Sequence, residues 1–204
     1  MENAPEFPKR DMEDHGADTQ FRYRYQATCA AIYSLLLLRD PQEYDTLYCE
    51  LLEDILLRRP DGEYVGIQVK TRKEGLGPFK ATEEDIIHSL RKFVKLDLEY
   101  PNRFCKYMIV TNCGFWNEKQ DGGNLEYLLD LCKNQPEDPA IHEKLSRLIS
   151  QLVVPGGSAQ AAIAVLQKTE VDRVGNLGSI KTTCREPSRR VAGHCPRAHC
   201  QIWT

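Results

Sequence analysis

The sequence predicts an α/β or α+β domain in which helices pack around a short mixed sheet, and three features carry that reading. Apolar residues recur near a helical period over residues 21–38, 82–100 and three later stretches. Between them lie four short runs rich in β-branched and aromatic residues, at 44–50, 54–58, 63–71 and 104–111. Residues that break helices or make turns separate the two kinds of segment. At 204 residues, the chain suits one substantial domain with an appendage and can bury a core without disulfide help. A hydrophobic content of 41% with 28% charged residues excludes a membrane-embedded or wholly disordered class.

Residues 1–19 read as a solvated, flexible leader; they are polar and acidic and lack the apolar stretch of a signal peptide. From Phe21 to Leu38 the residues Tyr25, Cys29, Ile32 and Leu36 form one helical stripe, stopped by Asp40-Pro41. The apolar run 27–38 is too short to span a bilayer. Tyr44–Glu50 reads as a strand. Asp54–Arg58 and Glu63–Thr71 read as two more, joined through the turn residues Arg59-Pro60-Asp61-Gly62 into a hairpin. Thr82 with Asp85 resembles a capping box opening a helix to about Tyr100, whose buried stripe is Ile86, Leu90, Phe93 or Val94, and Leu98. Phe104–Thr111 is an apolar strand, and helices follow near Asn124–Lys133, Ala140–Leu152 and Ser158–Gln167. Residues 20–170 thus form the folded domain. Residues 171–204 lose apolar periodicity and read as an irregular basic tail.

The net charge of −3 supplies no global positive field, so any nucleic-acid surface is local. Cys29, Cys49, Cys105, Cys113 and Cys132 sit in apolar or strand-like settings without motif spacing. Buried thiols in a reducing cytoplasm are the plain reading, and no membrane association is expected.

The chemistry concentrates on the hairpin. On the strand 63–71, Val65, Ile67 and Val69 share one face while Gly66, Gln68 and Lys70 share the other. If the hairpin turns about Asp61, Asp54 lies directly across from Gln68, and a slip of one residue would send them to opposite faces. Phosphodiester hydrolysis needs charge neutralised on the phosphate and a nucleophile generated at neutral pH, and a divalent metal held by hard oxygen ligands does both. Asp54 offers a carboxylate, Gln68 an amide oxygen and Val69 a backbone carbonyl, while Lys70 is suited to orient the attacking water and stabilise the transition state. Glu50 and Glu53, just ahead of Asp54, and Gln26 in the first helix are accessory candidates. Arg72, Lys73 and Lys80, with Arg58 and Arg59, surround the hairpin as candidate phosphate contacts. The bland alternative is a solvent-exposed ion pair between Asp54 and Lys70, worth little.

Asp54 followed by Gln68-Val69-Lys70 resembles the PD-(D/E)XK nuclease superfamily, with Gln in place of the usual acid as in its Mrr-type restriction endonucleases. Phe21-Arg22-Tyr23-Arg24-Tyr25-Gln26, Glu50 through Asp54-Ile55, Ile67-Gln68-Val69-Lys70-Thr71 and Ile109-Val110-Thr111-Asn112 together resemble the N-terminal domain of CD-NTase-associated double-stranded DNA endonucleases of bacterial anti-phage systems. The resemblance covers roughly residues 20–170. It implies a restriction-endonuclease-like short mixed sheet flanked by helices, with additional C-terminal helices. It also implies double-stranded DNA as substrate and Mg2+ or Mn2+ as cofactor, and it is compatible with a homo-oligomer. In such effectors a C-terminal domain senses a cyclic oligonucleotide; a chain of this length has no room for it, so a truncated or standalone nuclease is expected. Two other readings stand beside this one. The first is a non-catalytic nucleic-acid-binding or scaffold module that keeps the nuclease fold. The second is a zinc-binding tail built on Cys184, His194, Cys195, His199 and Cys200, whose spacing lacks the usual Cys-x-x-Cys pair.

Overall fold

A computed structural model describes residues 15–39, 41–73, 75–118, 122–134 and 139–173. The elements run α1 (His15–Arg39), β1 (Thr46–Cys49), β2 (Ile55–Arg58), β3 (Tyr64–Lys70), α2 (Glu84–Glu99), β4 (Phe104–Thr111), α3 (Leu125–Asn134), α4 (Pro139–Leu152), α5 (Ala159–Lys168) and β5 (Thr169–Arg173). The five strands form one sheet in chain order, β1 to β5. The pairs β1–β2 and β2–β3 are antiparallel, whereas β3–β4 and β4–β5 are parallel. The sheet is therefore mixed, and α2 is the helical crossover that a parallel neighbour to β3 demands.

The hairpin register is the one the sequence implies. Ile55 pairs with Ile67, Leu56 with Gly66, Leu57 with Val65 and Arg58 with Tyr64. Gly62 takes a left-handed conformation (φ 86°), which only glycine adopts without steric penalty, and it donates to Arg59 to close the turn. With that register fixed, the sheet presents two faces. Ile55, Leu57, Val65, Ile67, Val69 and Val110 pack against α1. Leu56, Tyr107 and Ile109 face the larger core formed with α2, α3, α4 and α5. A register shift between Tyr64 and Val65 lets Phe104 and Tyr107 both turn to that larger core. There Tyr107 stacks with Phe93 at 4.6 Å and with Phe104 at 5.1 Å.

Several boundaries differ from the expectation. α1 begins at His15, so the end of the expected leader is helical. Its buried row includes Cys29, Tyr33 and Leu37 at i, i+4 spacing, with Tyr25 half-buried; Tyr33 is buried where the expected Ile32 is only half-buried, and the Leu36 side chain lies outside what is described. β1 is shorter at both ends than 44–50, and at its C-terminal end Glu50 leaves the strand with φ 54°. The cap of α2 is Glu83 rather than Thr82, and it makes no side-chain cap bond; its carboxylate instead accepts from the Lys80 amide and from Arg72. Leu96, not Leu98, completes the buried face of α2, and Leu98 is exposed. Ser158 does cap α5, accepting from the Ala161 amide. β5 was not anticipated: Thr169-Glu-Val-Asp-Arg173 is an edge strand with little apolar content, and its last three residues fall in what reads as tail. The cysteines Cys184, Cys195 and Cys200, with His194 and His199, lie outside the described residues. Cys29 and Cys132 are buried as expected, but Cys49 is exposed at the end of β1. No described helix is long and apolar enough to cross a membrane.

The stacked aromatic trio makes Phe93 a central core residue, whereas Leu38 on α1 is 71% exposed. Phe93→Ala is expected to lower the unfolding free energy by about 3–5 kcal/mol. Leu38→Ala is expected to change it by no more than about 0.5 kcal/mol. Urea denaturation of both variants checks this pair, and similar losses would contradict the assigned core.

Candidate functional site

The site forms where the β1–β2 connection meets the C-terminal half of β3. Cys49 pairs with Ile55, and the Glu50 amide donates to the Asp54 carbonyl at 3.1 Å, so residues 51–53 are the tip of a tight hairpin loop. The tip is held at both ends by strand pairing, and this fixes where its acids go. Leu51 at the tip is exposed, but Glu53 turns inward and is only 2% exposed.

Room for Glu53 comes from Gly66 on β3. A Cβ at residue 66 would lie 3.3 Å from the Glu53 Cγ and 3.2 Å from the Tyr107 ring, closer than neighbouring side chains normally tolerate. Inside this niche the Gln68 side-chain amide donates to Glu53 Oε2, and the Lys92 ammonium of α2 pairs with the same oxygen at 3.1 Å. Glu53 Oε1 is buried and has no hydrogen-bond partner. Burial pushes the Glu53 carboxyl up to about 6, against the opposing pull of Lys92. The Glu50 carboxyl is also raised, first by burial and then by the charge of Asp54.

Asp54 occupies a different position from its neighbour. One register step beyond Ile55–Ile67 sets it opposite Gln68, as the hairpin arithmetic implies. Its carboxylate, however, accepts from the Val69 backbone amide at 2.7 Å instead of meeting the Gln68 side chain. The acid that touches Gln68 is Glu53, ranked only as an accessory by sequence. The bend of the loop, not strand alternation, decides which of two adjacent acids reaches the amide. Lys70 closes β3 opposite Thr111 and, by alternation, lies on the face of Gln68, half-buried. Val69, whose carbonyl is a candidate ligand, stands between them. Gln26 is half-buried on α1, and its Oε1 is a second buried oxygen without a partner.

The basic candidates divide. Arg72 is committed within the protein: its guanidinium lies 3.9 Å over the Phe79 ring, pairs with Glu83 and donates to the Gly77 carbonyl. Asn112 grips the Arg72 backbone from both sides, accepting from its amide at 3.0 Å and donating to its carbonyl at 2.9 Å. This clamp anchors the chain just past Lys70. Lys73 is exposed and pairs with Asp18 at 2.8 Å, and Lys80 is exposed over the Trp116 ring at 4.4 Å. Arg58 is held by both oxygens of Asp45, and Arg59 pairs with Asp61. An open cleft of about 710 Å³ lies past the end of β3, lined by Phe21, Tyr25, Lys73, Asn112 and Arg173 among others.

Sequence reasoning missed Lys92. The one hint was that polar Ser89, fully buried, interrupts the apolar face of α2 one turn before it. Among the described residues, no three His, Cys, Asp or Glu side chains converge as a metal cluster. Any metal set here therefore mixes carboxylate with amide and backbone oxygen.

A family model described as Cap4, dsDNA endonuclease domain, matches residues 14–182. No curated protein and no solved structure matches the chain.

The raised Glu53 carboxyl sets a pH dependence. The folded chain holds this proton more tightly than the unfolded chain, so the stability it lends is complete below the ordinary value of 4.5 and is lost as pH rises through about 6. Glu53→Gln mimics the protonated form. Its stability relative to the parent protein is expected to rise by about 2 kcal/mol between pH 4.5 and pH 7 in metal-free buffer. Urea unfolding at the two pH values measures the gap, and a gap independent of pH would remove the buried ionised carboxylate from the account.

Proposed function

The chain belongs to the family of Cap4 double-stranded DNA endonuclease domains, and from that premise we propose that it hydrolyses the backbone of double-stranded DNA with a divalent metal ion, magnesium or manganese. The observation that carries this reading is the Glu53 carboxylate: buried, with one oxygen unpartnered, beside Asp54 and Gln68. Burying an ionised group with an idle oxygen is costly unless a cation or donor completes it. The groups offered next to it, the Asp54 carboxylate, the Gln68 amide oxygen and the Val69 carbonyl, are hard oxygens, the kind that magnesium and manganese prefer.

Asp54 would hold the ion through its carboxylate, with the Gln68 amide oxygen and the Val69 carbonyl. The Gln68 nitrogen is committed to Glu53, which leaves its oxygen as the group it offers. Glu53 therefore orients the amide, and Glu50 adds negative charge at the rim of the loop. When bound, the ion lowers the pKa of water and neutralises charge on the phosphate. Lys70 orients the attacking water and stabilises the charge that builds on the phosphoryl oxygens. Gln26 lies on the opposite side of the sheet layer from α2, and its idle oxygen suits it to an accessory polar contact. Lys73 and Lys80, exposed beside the hairpin, are suited to phosphate contacts, whereas Arg72 serves the loop's architecture. We read the superfamily as PD-(D/E)XK of the Mrr type, and the setting as cytoplasmic anti-phage defence, on the family resemblance.

Relaxation and linearisation of a supercoiled plasmid, with Mg2+ and with EDTA, test the reading. Cleavage is expected only with the metal, and Asp54→Ala and Lys70→Ala are each expected to slow it by about 100-fold or more. Metal-independent cleavage, or variants as fast as the parent, would remove these residues from the chemistry. Retained DNA binding with no cleavage by the parent chain favours the non-catalytic module.

A further inference from the structure

We propose that the Lys73 ammonium binds one phosphodiester group of duplex DNA, and that Asp18 fills that place in the free chain and is displaced by the substrate. The inference rests on the DNA-cleaving reading above and concerns how DNA enters. It starts from the length of α1. Its 25 residues extend about 37 Å, whereas the 7 residues of β3 extend about 23 Å, so the helix overruns the sheet. Cys29, Tyr33 and Leu37 pack on the strands. Continued toward the N-terminus, the same row meets Tyr25, Arg22, Phe21 and Asp18, which share one helical face at i, i+3, i+4 and i+7 spacing. Asp18 is thus a carboxylate in the row where the rest of α1 places core residues, and it meets Lys73 at 2.8 Å.

Two open clefts, of about 560 and 710 Å³, meet at this ion pair, since Asp18, Phe21, Arg72, Lys73 and Leu76 line both. They lie where β3, the strand of Gln68, has just ended. Together they reach from α1 to Asp85 in the first turn of α2 and to Arg173 at the end of β5. Crevices beyond the carboxyl ends of parallel strands are where open sheets take ligands.

The two cations at this edge are held differently. Arg72 is committed: its side chain is 18% exposed, lies over Phe79 and pairs with Glu83, and Asn112 fixes its backbone. Lys73 leaves that fixed point with a side chain 60% exposed, and that of Asp18 is 38% exposed. An ion pair so open to water contributes little to stability and exchanges one anion for another at small cost. A phosphodiester carries the same single negative charge as the carboxylate it replaces.

Charge complementarity names the occupant. With Asp18 displaced, the lining residues Arg22, Lys73 and Arg173 stand against Asp85 alone, while Arg72 is already matched by Glu83. In a chain of net charge −3, such a local strip is what a polyanion requires. Asp18 in this account weakens DNA binding by holding Lys73, and it touches no substrate.

Fluorescence anisotropy of a short labelled duplex, in EDTA and at several salt concentrations, tests this on the full chain. Asp18→Asn is expected to bind about 3- to 5-fold more tightly than the parent protein, the scale of one exposed ion pair. Lys73→Gln is expected to bind more weakly and to lower the slope of log Kd against log salt by about one, whereas Lys73→Arg keeps the parent slope. In the Lys73→Gln background the gain from Asp18→Asn is expected to vanish, because the carboxylate then has no cation to occupy. Asp18 also lies in the first turn of α1, so circular dichroism checks the fold, and Asp18→Gln replaces Asp18→Asn if the latter does not fold. Unchanged affinity in Asp18→Asn overturns the inference and leaves a purely structural pair. An equal gain in both backgrounds also overturns it, as general repulsion of DNA by an acid. A parent protein that binds no duplex overturns the DNA-cleaving reading itself, and the inference falls with it.

Discussion

The antiparallel pairing of β2 with β3 is the constraint from which the rest of the molecule follows. Its register sends Val65, Ile67 and Val69 to α1, and Gly66 and Gln68 to the side of α2. Because side chains alternate, a slip of one position would turn Gln68 and Lys70 toward the apolar residues of α1 and bring Val65, Ile67 and Val69 to the side of Glu53 and Tyr107. The hydrophobic sorting that holds the sheet and the polar sorting that builds the site are one and the same choice. The energetic penalty against slippage is set mainly by the apolar face, so the polar face inherits a geometry it does not have to stabilise.

What the polar face does with that geometry runs against stability. A carboxylate shielded from water, with one idle oxygen, is an expensive object to fold around. The protein offsets part of this with Lys92 and the Gln68 amide, and it creates the space by leaving out a Cβ at Gly66. Such local conflict between folding and arrangement is expected at a functional site, where stability is not the only thing that sets the residues.

Much of this was legible in the sequence, and the reasons are specific. The Asp61-Gly62 turn and the alternation of Val65, Ile67 and Val69 left one sensible register, and Phe104–Thr111 declared itself a strand through its aromatic and β-branched residues, interrupted only by Lys106 before the closing Thr111. β5 did not declare itself, because an edge strand with only Val171 as a sizeable apolar side chain carries little of that signal. In the site, the contact with Gln68 expected of Asp54 is made by Glu53. Alternation governs residues inside a strand, and both acids lie just outside one, where loop curvature decides direction. Lys92 was hidden for a different reason: a long side chain at the margin of a helix face can turn either to solvent or inward, and only the position of Glu53 chooses between them.

The closure of the β1–β2 loop by Glu50 and Asp54 also bears on how such a chain tolerates insertions and deletions. At the far end of the hairpin, an added residue between Arg59 and Glu63 can be absorbed as a bulge while the ladder from Arg58 to Ile55 stays as it is. The loop at residues 51–53 has no such slack. One residue more or fewer there would hand the inward seat of Glu53 to a neighbour, so drift in length in this lineage should be confined to the opposite end of the hairpin.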